Sequence, residues 1–180
     1  MEQSFRESLS IVDDGIIPFL PYLLQDLWTL GGHPELATQV LKRHAQPTES
    51  FKALDLGCGK GATLATMAQH FPGTYQGFDI VDAFIQEGRK KLQQLTTLGK
   101  VTLQTGDIRS LPPLEEPFDL VYYGHDSDVL GSVYEAIQFL LPYKKAGGLL
   151  MLELSYKDES CQEEEYITRS QMEDELARSG

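Results

Sequence analysis

One stretch of the sequence has both the residue types and the spacing to hold a ligand: Asp55-Leu56-Gly57-Cys58-Gly59-Lys60-Gly61. Alternating glycines permit a tight turn and let a bound group approach the backbone closely. The spacing is G-x-G-x-G, which differs from the G-x-G-x-x-G dinucleotide fingerprint, and no Gly-Lys-Ser or Gly-Lys-Thr completes a Walker loop. Asp55 stands two residues before the first glycine. A carboxylate at that mouth repels a pyrophosphate and attracts an ammonium or a sulfonium. Asp79, 24 residues further on, suits two neighbouring ribose hydroxyls, which donate hydrogen bonds to a carboxylate. Asp107, in Gly106-Asp107-Ile108, can accept from an adenine amino group.

The surrounding elements explain how three separated acids would meet. Strand-like runs at residues 51–56, 74–80, 101–105, 118–123 and 148–154 alternate with helical patterns at 62–70, 83–97 and 133–141. This order predicts an α/β fold: a Rossmann-like, doubly wound, mostly parallel sheet with helices on both faces. Each of the three acids then follows a strand, at the carboxyl edge where open α/β sheets bind ligands. Ahead of the sheet, Leu20, Leu23, Leu24, Leu27 and Trp28 fall at helical spacing and predict an apolar helix over 18–30, with a second helix from His33-Pro34 to 41. Behind it, Ser170-Gln171-Met172-Glu173 has the form of a capping box and predicts a helix over 171–179. The reading is an N-terminal helical cap at residues 1–50 and a ligand-binding Rossmann-like domain at 51–180.

The chain resembles the class I S-adenosylmethionine-dependent methyltransferases of the small-molecule type. The stretches that carry the likeness are Ala53-Leu54-Asp55-Leu56-Gly57-Cys58-Gly59-Lys60-Gly61, Gly77-Phe78-Asp79-Ile80, Thr105-Gly106-Asp107-Ile108, Phe118-Asp119-Leu120-Val121 and Leu141-Pro142-Tyr143-Lys144-Lys145-Ala146-Gly147-Gly148. The resemblance implies S-adenosylmethionine as cofactor. Asp55, Gly57, Cys58 and Gly59 would lie at its methionine part, Asp79 and Ile80 at the ribose, Asp107 and the Ile108 amide at the adenine. Tyr123 and Gly124 would close the pocket. Members of the family usually continue with two more strands, so this chain is expected to be truncated at its C-terminus. That leaves the fifth strand with an open edge, a place for a homodimer to form.

Methyl transfer from a sulfonium needs alignment first, and a base only where the acceptor holds a proton with a high pKa. His125, directly after the fourth strand, is the candidate base. Tyr122 and Tyr123 point to opposite faces, so one of them faces the pocket. Asp126 and Asp128 could meet a cationic acceptor; no metal site is expected, because His33, His44 and His70 are scattered. Cys58 reads as a small packing residue; the helix over 18–30 reads as plain core packing or as a lid over the substrate, in which Tyr22 and Trp28 are substrate-contact candidates. The expected activity is methyl transfer to a small molecule, the alternative being a non-catalytic S-adenosylmethionine-binding or partner-dependent module of the same fold. A nicotinamide-dependent oxidoreductase is disfavoured by the loop spacing and Asp55.

Bulk properties agree. The 180 residues carry 27 acids against 15 Lys and Arg, a net charge of −12, which disfavours a nucleic-acid partner. No apolar run approaches the ~18 residues of a membrane span, so no membrane partner is expected. Two cysteines, Cys58 and Cys161, make no disulfide framework and suit the cytoplasm.

Overall fold

The computed structural model describes residues 14–111, 114, 116–125, 128–160 and 167–179, except the side chains of Asp14, Ile17, His125 and Asp128. Five parallel strands form one sheet: β1 (Lys52–Leu56), β2 (Thr74–Asp79), β3 (Lys100–Thr105), β4 (Phe118–His125) and β5 (Lys144–Leu154). Their spatial order is β3-β2-β1-β4-β5. The order reverses between β1 and β4, and a crevice opens at such a switch point beyond the strands' carboxyl ends.

Alternation along the strands sorts the core into two faces. Ala53, Tyr75, Leu103, Leu120 and Tyr122 lie on one face, with Leu64, Met67 and Ala68 of α3 (Ala62–His70) and Ala37 and Leu41 of α2 (Pro34–His44). Leu54, Leu56, Phe78, Val121 and Tyr123 lie on the other, with Ala136 and Leu140 of α5 (Val133–Leu140). Asp55 has the parity of Ala53, so it faces α3. A capping box starts α5: the Ser132 hydroxyl accepts from the Glu135 amide, and the Glu135 carboxylate accepts from the Ser132 amide.

Helix α2 runs three residues past its expected end at 41, and three other helices differ from the sequence expectation, each for a local reason. The apolar pattern at 18–30 gives a 3-10 turn at Asp14–Phe19 and a single turn of helix, α1 (Leu20–Leu23). Pro18 and Pro21 lack the amide a continuous helix needs. Further on, Lys60 Nζ donates to Leu24 O at 2.7 Å and Gln25 O at 3.4 Å, taking carbonyls that a longer helix would use. Helix α4 spans Asp82–Leu92 rather than 83–97. Gln94 and Leu95 close tight turns onto Lys91 O and Leu92 O, and the amides of Leu98 and Gly99 both donate to Ala68 O, pulling the chain back toward β3. Helix α6 (Arg169–Arg178) is capped by Thr168 with Gln171, not by Ser170 with Glu173. The Ser170 amide is instead held by Glu159 Oε1 at 3.0 Å.

Gly61 is the N-cap of α3 at φ +80°, and a Cβ there would lie 2.7 Å from Leu103 Cδ2. The left-handed conformation and the contact both demand glycine. Gly61→Ala is expected to cost ~1–3 kcal/mol, seen as a fall in Tm of about 2–4 °C per kcal/mol in thermal denaturation.

Candidate active site

The loop between β1 and α3 is fixed from the end of β2. The amides of Gly57 and Cys58 both donate to Phe78 O, at 2.8 and 2.9 Å. Asp79 completes the anchor: Oδ2 accepts from the Gly59 amide and Oδ1 from the Val81 amide, each at 2.8 Å. Burial raises the Asp79 carboxyl, and these two backbone bonds partly offset it. In the sequence Asp79 reads only as a ligand contact; its hold on the glycine loop is a second role, visible once β1 and β2 are paired.

Asp55 lies at the bottom of the crevice, 2% exposed, and its Oδ1 has no hydrogen-bond partner among the described residues. Burial, then the nearby charges of Asp79 and Glu153, push its carboxyl well above the usual range. Beside it, the Tyr122 hydroxyl donates to Glu153 Oε2 at 2.5 Å. The His33 amide donates to the same oxygen at 3.2 Å, and His33 Nδ1 pairs with Glu153 Oε1. Burial of Glu153 works against its charge, but the bonds from Tyr122 and His33 outweigh this and hold its carboxyl below the usual value. Burial first, then the bond to Glu153, pushes the Tyr122 hydroxyl far up, so it remains a donor.

Residues 28–32 cover this cluster. Trp28, Thr29, Leu30 and Gly32 line a cavity of about 30 Å³ with Asp55, Thr63, Tyr122 and Gly124 among the residues opposite. Leu30 packs on Gly59, whose added Cβ would meet Leu30 Cδ1 at 3.4 Å. Buried Lys60 pins the segment through Leu24 O and Gln25 O while its ammonium also pairs with Glu87 of α4 at 2.5 Å. Such a cavity holds water and is far below the roughly 300–1,000 Å³ of a small-molecule site.

The other expected site residues fall as follows. Gly57, Cys58 and Gly124 line the cavity. The Cys58 thiol packs against Gly77, and burial, then Asp55 and Asp79, push it well up, so it stays protonated. Ile80 is half-buried just past β2, and Ile108 is buried in the second core face. Asp107 caps the short 3-10 turn Ile108–Ser110 and pairs with Arg109 at 3.2 Å. Burial raises its carboxyl, but the Arg109 bonds outweigh it and hold the group low. Tyr123 packs in the second core face, and Tyr122 is the tyrosine that lines the cavity. The backbone of His125 closes β4 opposite Leu154. Its side chain, Asp126 and the side chain of Asp128 lie outside the described residues. Trp28 lines the cavity, whereas Tyr22 is 70% exposed and is not among its lining residues. Among the described residues no group of three metal-ligating side chains occurs, and no helix is long and apolar enough to cross a membrane.

A family model described as a methyltransferase domain matches residues 53–140, the glycine loop and all three acids included. The match covers just under half of the chain, and that stretch is similar to a methyltransferase domain. A biotin biosynthesis bifunctional protein of Teredinibacter turnerae is 32% identical over 72 residues, 37% of this chain and 13% of that protein. An O-methyltransferase of Pyrenophora dematioidea is 33% identical over 93 residues, 49% of this chain and 34% of its own. The chain thus spans about a third or less of the curated relatives it matches. A crystal structure of an S-adenosylmethionine-dependent methyltransferase from Geobacter sulfurreducens, in complex with S-adenosyl-L-homocysteine, has the same fold. Its TM-score is 0.74 at 17% identity, covering 100% of this chain and 71% of that one. Glu153 and His33 belong to no motif, and Lys60, though inside the glycine motif, has no role that the motif's spacing reveals. Their roles come from contacts such as the 120-residue separation between His33 and Glu153.

Because the folded-state carboxyl of Asp55 is raised, the folded protein keeps a proton that the unfolded chain gives up. Stability from this group is greatest below the unfolded value near 3.9 and is lost as pH rises through the folded one. Asp55→Asn is therefore expected to raise Tm by a few degrees at pH 7 without ligand, with the gain shrinking toward pH 4. Calorimetric scans across pH check this.

Proposed function

We propose that the chain transfers a methyl group from S-adenosylmethionine to a small-molecule acceptor. The observation that carries this reading is the buried, partnerless Oδ1 of Asp55 behind a glycine loop at the sheet's switch point. Such an oxygen calls for a cationic donor. The ammonium of a bound S-adenosylmethionine supplies one, and its sulfonium supplies an electrophilic methyl carbon.

In this reading Gly57, Cys58 and Gly59 offer backbone to the methionine part. Asp79 and Ile80 take the ribose: both Asp79 oxygens already accept backbone bonds, and each retains a lone pair for a hydroxyl. Asp107 and the Ile108 amide take the adenine, with Arg109 steadying the carboxylate. Tyr123 contributes backbone and packing, Gly124 the wall of the acceptor side, and His125 is the base candidate at the end of β4. Residues 1–50 act as a cap, and residues 28–32 must shift to widen the cavity for a cofactor. The likeness to the O-methyltransferase of Pyrenophora dematioidea supports methyl transfer; the net charge of −12 disfavours nucleic acid. The cysteine usage suits the cytoplasm. One observation favours the alternative, a binding module without turnover: the cavity as it stands admits only water-sized groups.

A homodimer through β5 belongs to the same proposal. The strand lies at the end of the sheet order, and beside it Leu150, Leu152, Leu154, Tyr156, Met172 and Leu176 line an apolar groove.

Titration calorimetry tests the cofactor site. S-adenosylhomocysteine is expected to bind at micromolar Kd and NAD not at all, with Asp55→Ala and Asp79→Ala each weakening binding at least tenfold. Unchanged affinity in both variants removes the assignment. Multi-angle light scattering tests the dimer: twice the chain mass is expected at high concentration, and Leu152→Lys is expected to return the monomer.

A further inference from the structure

Before any cofactor arrives, the free protein already has to accommodate the Asp55 carboxylate. Its Oδ1 is buried and has no hydrogen-bond partner among the described residues. Polar side chains that line the same cavity direct their protons elsewhere. Thr63 bonds to the Tyr122 oxygen, and Tyr122 donates to Glu153 Oε2 at 2.5 Å. The single Tyr122 proton goes to Glu153, so the Thr63 hydroxyl is the donor in the first bond. Lys60 is the one basic residue among the described lining residues. Its three ammonium protons have three acceptors: Leu24 O, Gln25 O and Glu87. With their protons committed, Thr63 and Tyr122 can offer only lone pairs to whatever enters.

The oxygens also converge. A Cβ built on Gly32 would stand 3.3 Å from Tyr122 Oη, 3.6 Å from Thr63 Oγ1 and 3.7 Å from Glu153 Oε2. Asp55 lines the same cavity of about 30 Å³, which suits a guest of water's size. A potassium ion is close to that size. A divalent ion draws on several carboxylates or brings its own waters. Here only Asp55, among the described residues, has a buried side-chain oxygen without a partner. One negative charge with neutral oxygens around it matches one positive charge.

We propose that this cavity binds a potassium-sized monovalent cation on Asp55, and that the ion holds the place later taken by the ammonium group of S-adenosylmethionine. The cation site stands without the S-adenosylmethionine reading; the displacement rests on it. The exchange is charge for charge, so the carboxylate is not left bare at any stage. Asp79 and Glu153 strengthen the attraction from behind hydrogen bonds of their own. A bound cation also opposes the rise that burial imposes on the Asp55 carboxyl.

Thermal denaturation of the full chain in chloride salts of equal ionic strength tests the site, with N-methylglucamine as a cation too large to enter. At ~150 mM salt, Tm is expected to be about 3–6 °C higher in potassium or rubidium than in N-methylglucamine. Lithium is expected to give little of that gain. Asp55→Asn is expected to lose the cation dependence, and Thr63→Val to reduce it. Crystals soaked in thallium(I), a stand-in for potassium, are expected to show an anomalous peak beside Asp55 Oδ1. Titration calorimetry is expected to find S-adenosylhomocysteine bound about fivefold more weakly in potassium than in N-methylglucamine. Equal Tm values in those two salts, an undiminished potassium effect in Asp55→Asn, or thallium found only elsewhere would overturn the proposal. If potassium acts through Asp55 but leaves the affinity for S-adenosylhomocysteine unchanged, the cation site holds and the placement of the cofactor's ammonium falls. If S-adenosylhomocysteine does not bind at all, the cofactor reading falls, and the thermal and thallium results decide the cation site by themselves.

Discussion

Burying a carboxylate without a partner for one of its oxygens is among the costlier things a small domain can do. The carboxyl end of this sheet is organised around that cost. Asp55 is carried inward by strand parity, on the face that packs against α3. Among the described residues no cation offsets its charge: its charged neighbours Asp79 and Glu153 have the same sign, and the carboxyl is pushed toward its protonated form. The Tyr122 hydroxyl, which lines the same cavity, is given to Glu153 instead. A site that spends its donors elsewhere and keeps one acceptor dry is complementary to a cation, and the proposed S-adenosylmethionine is one.

The two neighbouring acids show how the same residue type is turned to different work. Asp79 is bonded to backbone on both oxygens and so stiffens the glycine loop. Asp107 is balanced by an adjacent arginine at the surface. Only Asp55 is left with unmet demand. Ligand recognition therefore starts from a frame that is already rigid on the β2 side and is electrostatically unsatisfied on the β1 side.

Much of this was legible in the sequence. The period-2 strands, the breaker runs between them and the order of the acids lead directly to a parallel sheet with Asp55, Asp79 and Asp107 at or just beyond the carboxyl ends of its strands, because those signals are local. The N-terminal segment departs from its pattern for an equally physical cause. Leucine spacing at 20–28 is helical, but the prolines at 18 and 21 bring no amide donor, and a lysine from the glycine loop takes the carbonyls of residues 24 and 25. His33 and Glu153 could not have been paired by inspection, since neither belongs to a motif and 120 residues part them. Choosing Tyr122 over Tyr123 required knowing which sheet face carries α3.

Lys60 gives the site a time dimension. Its ammonium holds the backbone of residues 24–25 on one side and Glu87 on the other. If residues 24–30 lift away, Glu87 remains as counter-ion, so the opened state strands no buried positive charge. The door can swing without paying for its hinge. Ligand capture would then proceed at a rate capped by the swing itself, levelling off at high ligand concentration, and Trp28, the chain's single tryptophan, sits where its fluorescence would register each opening.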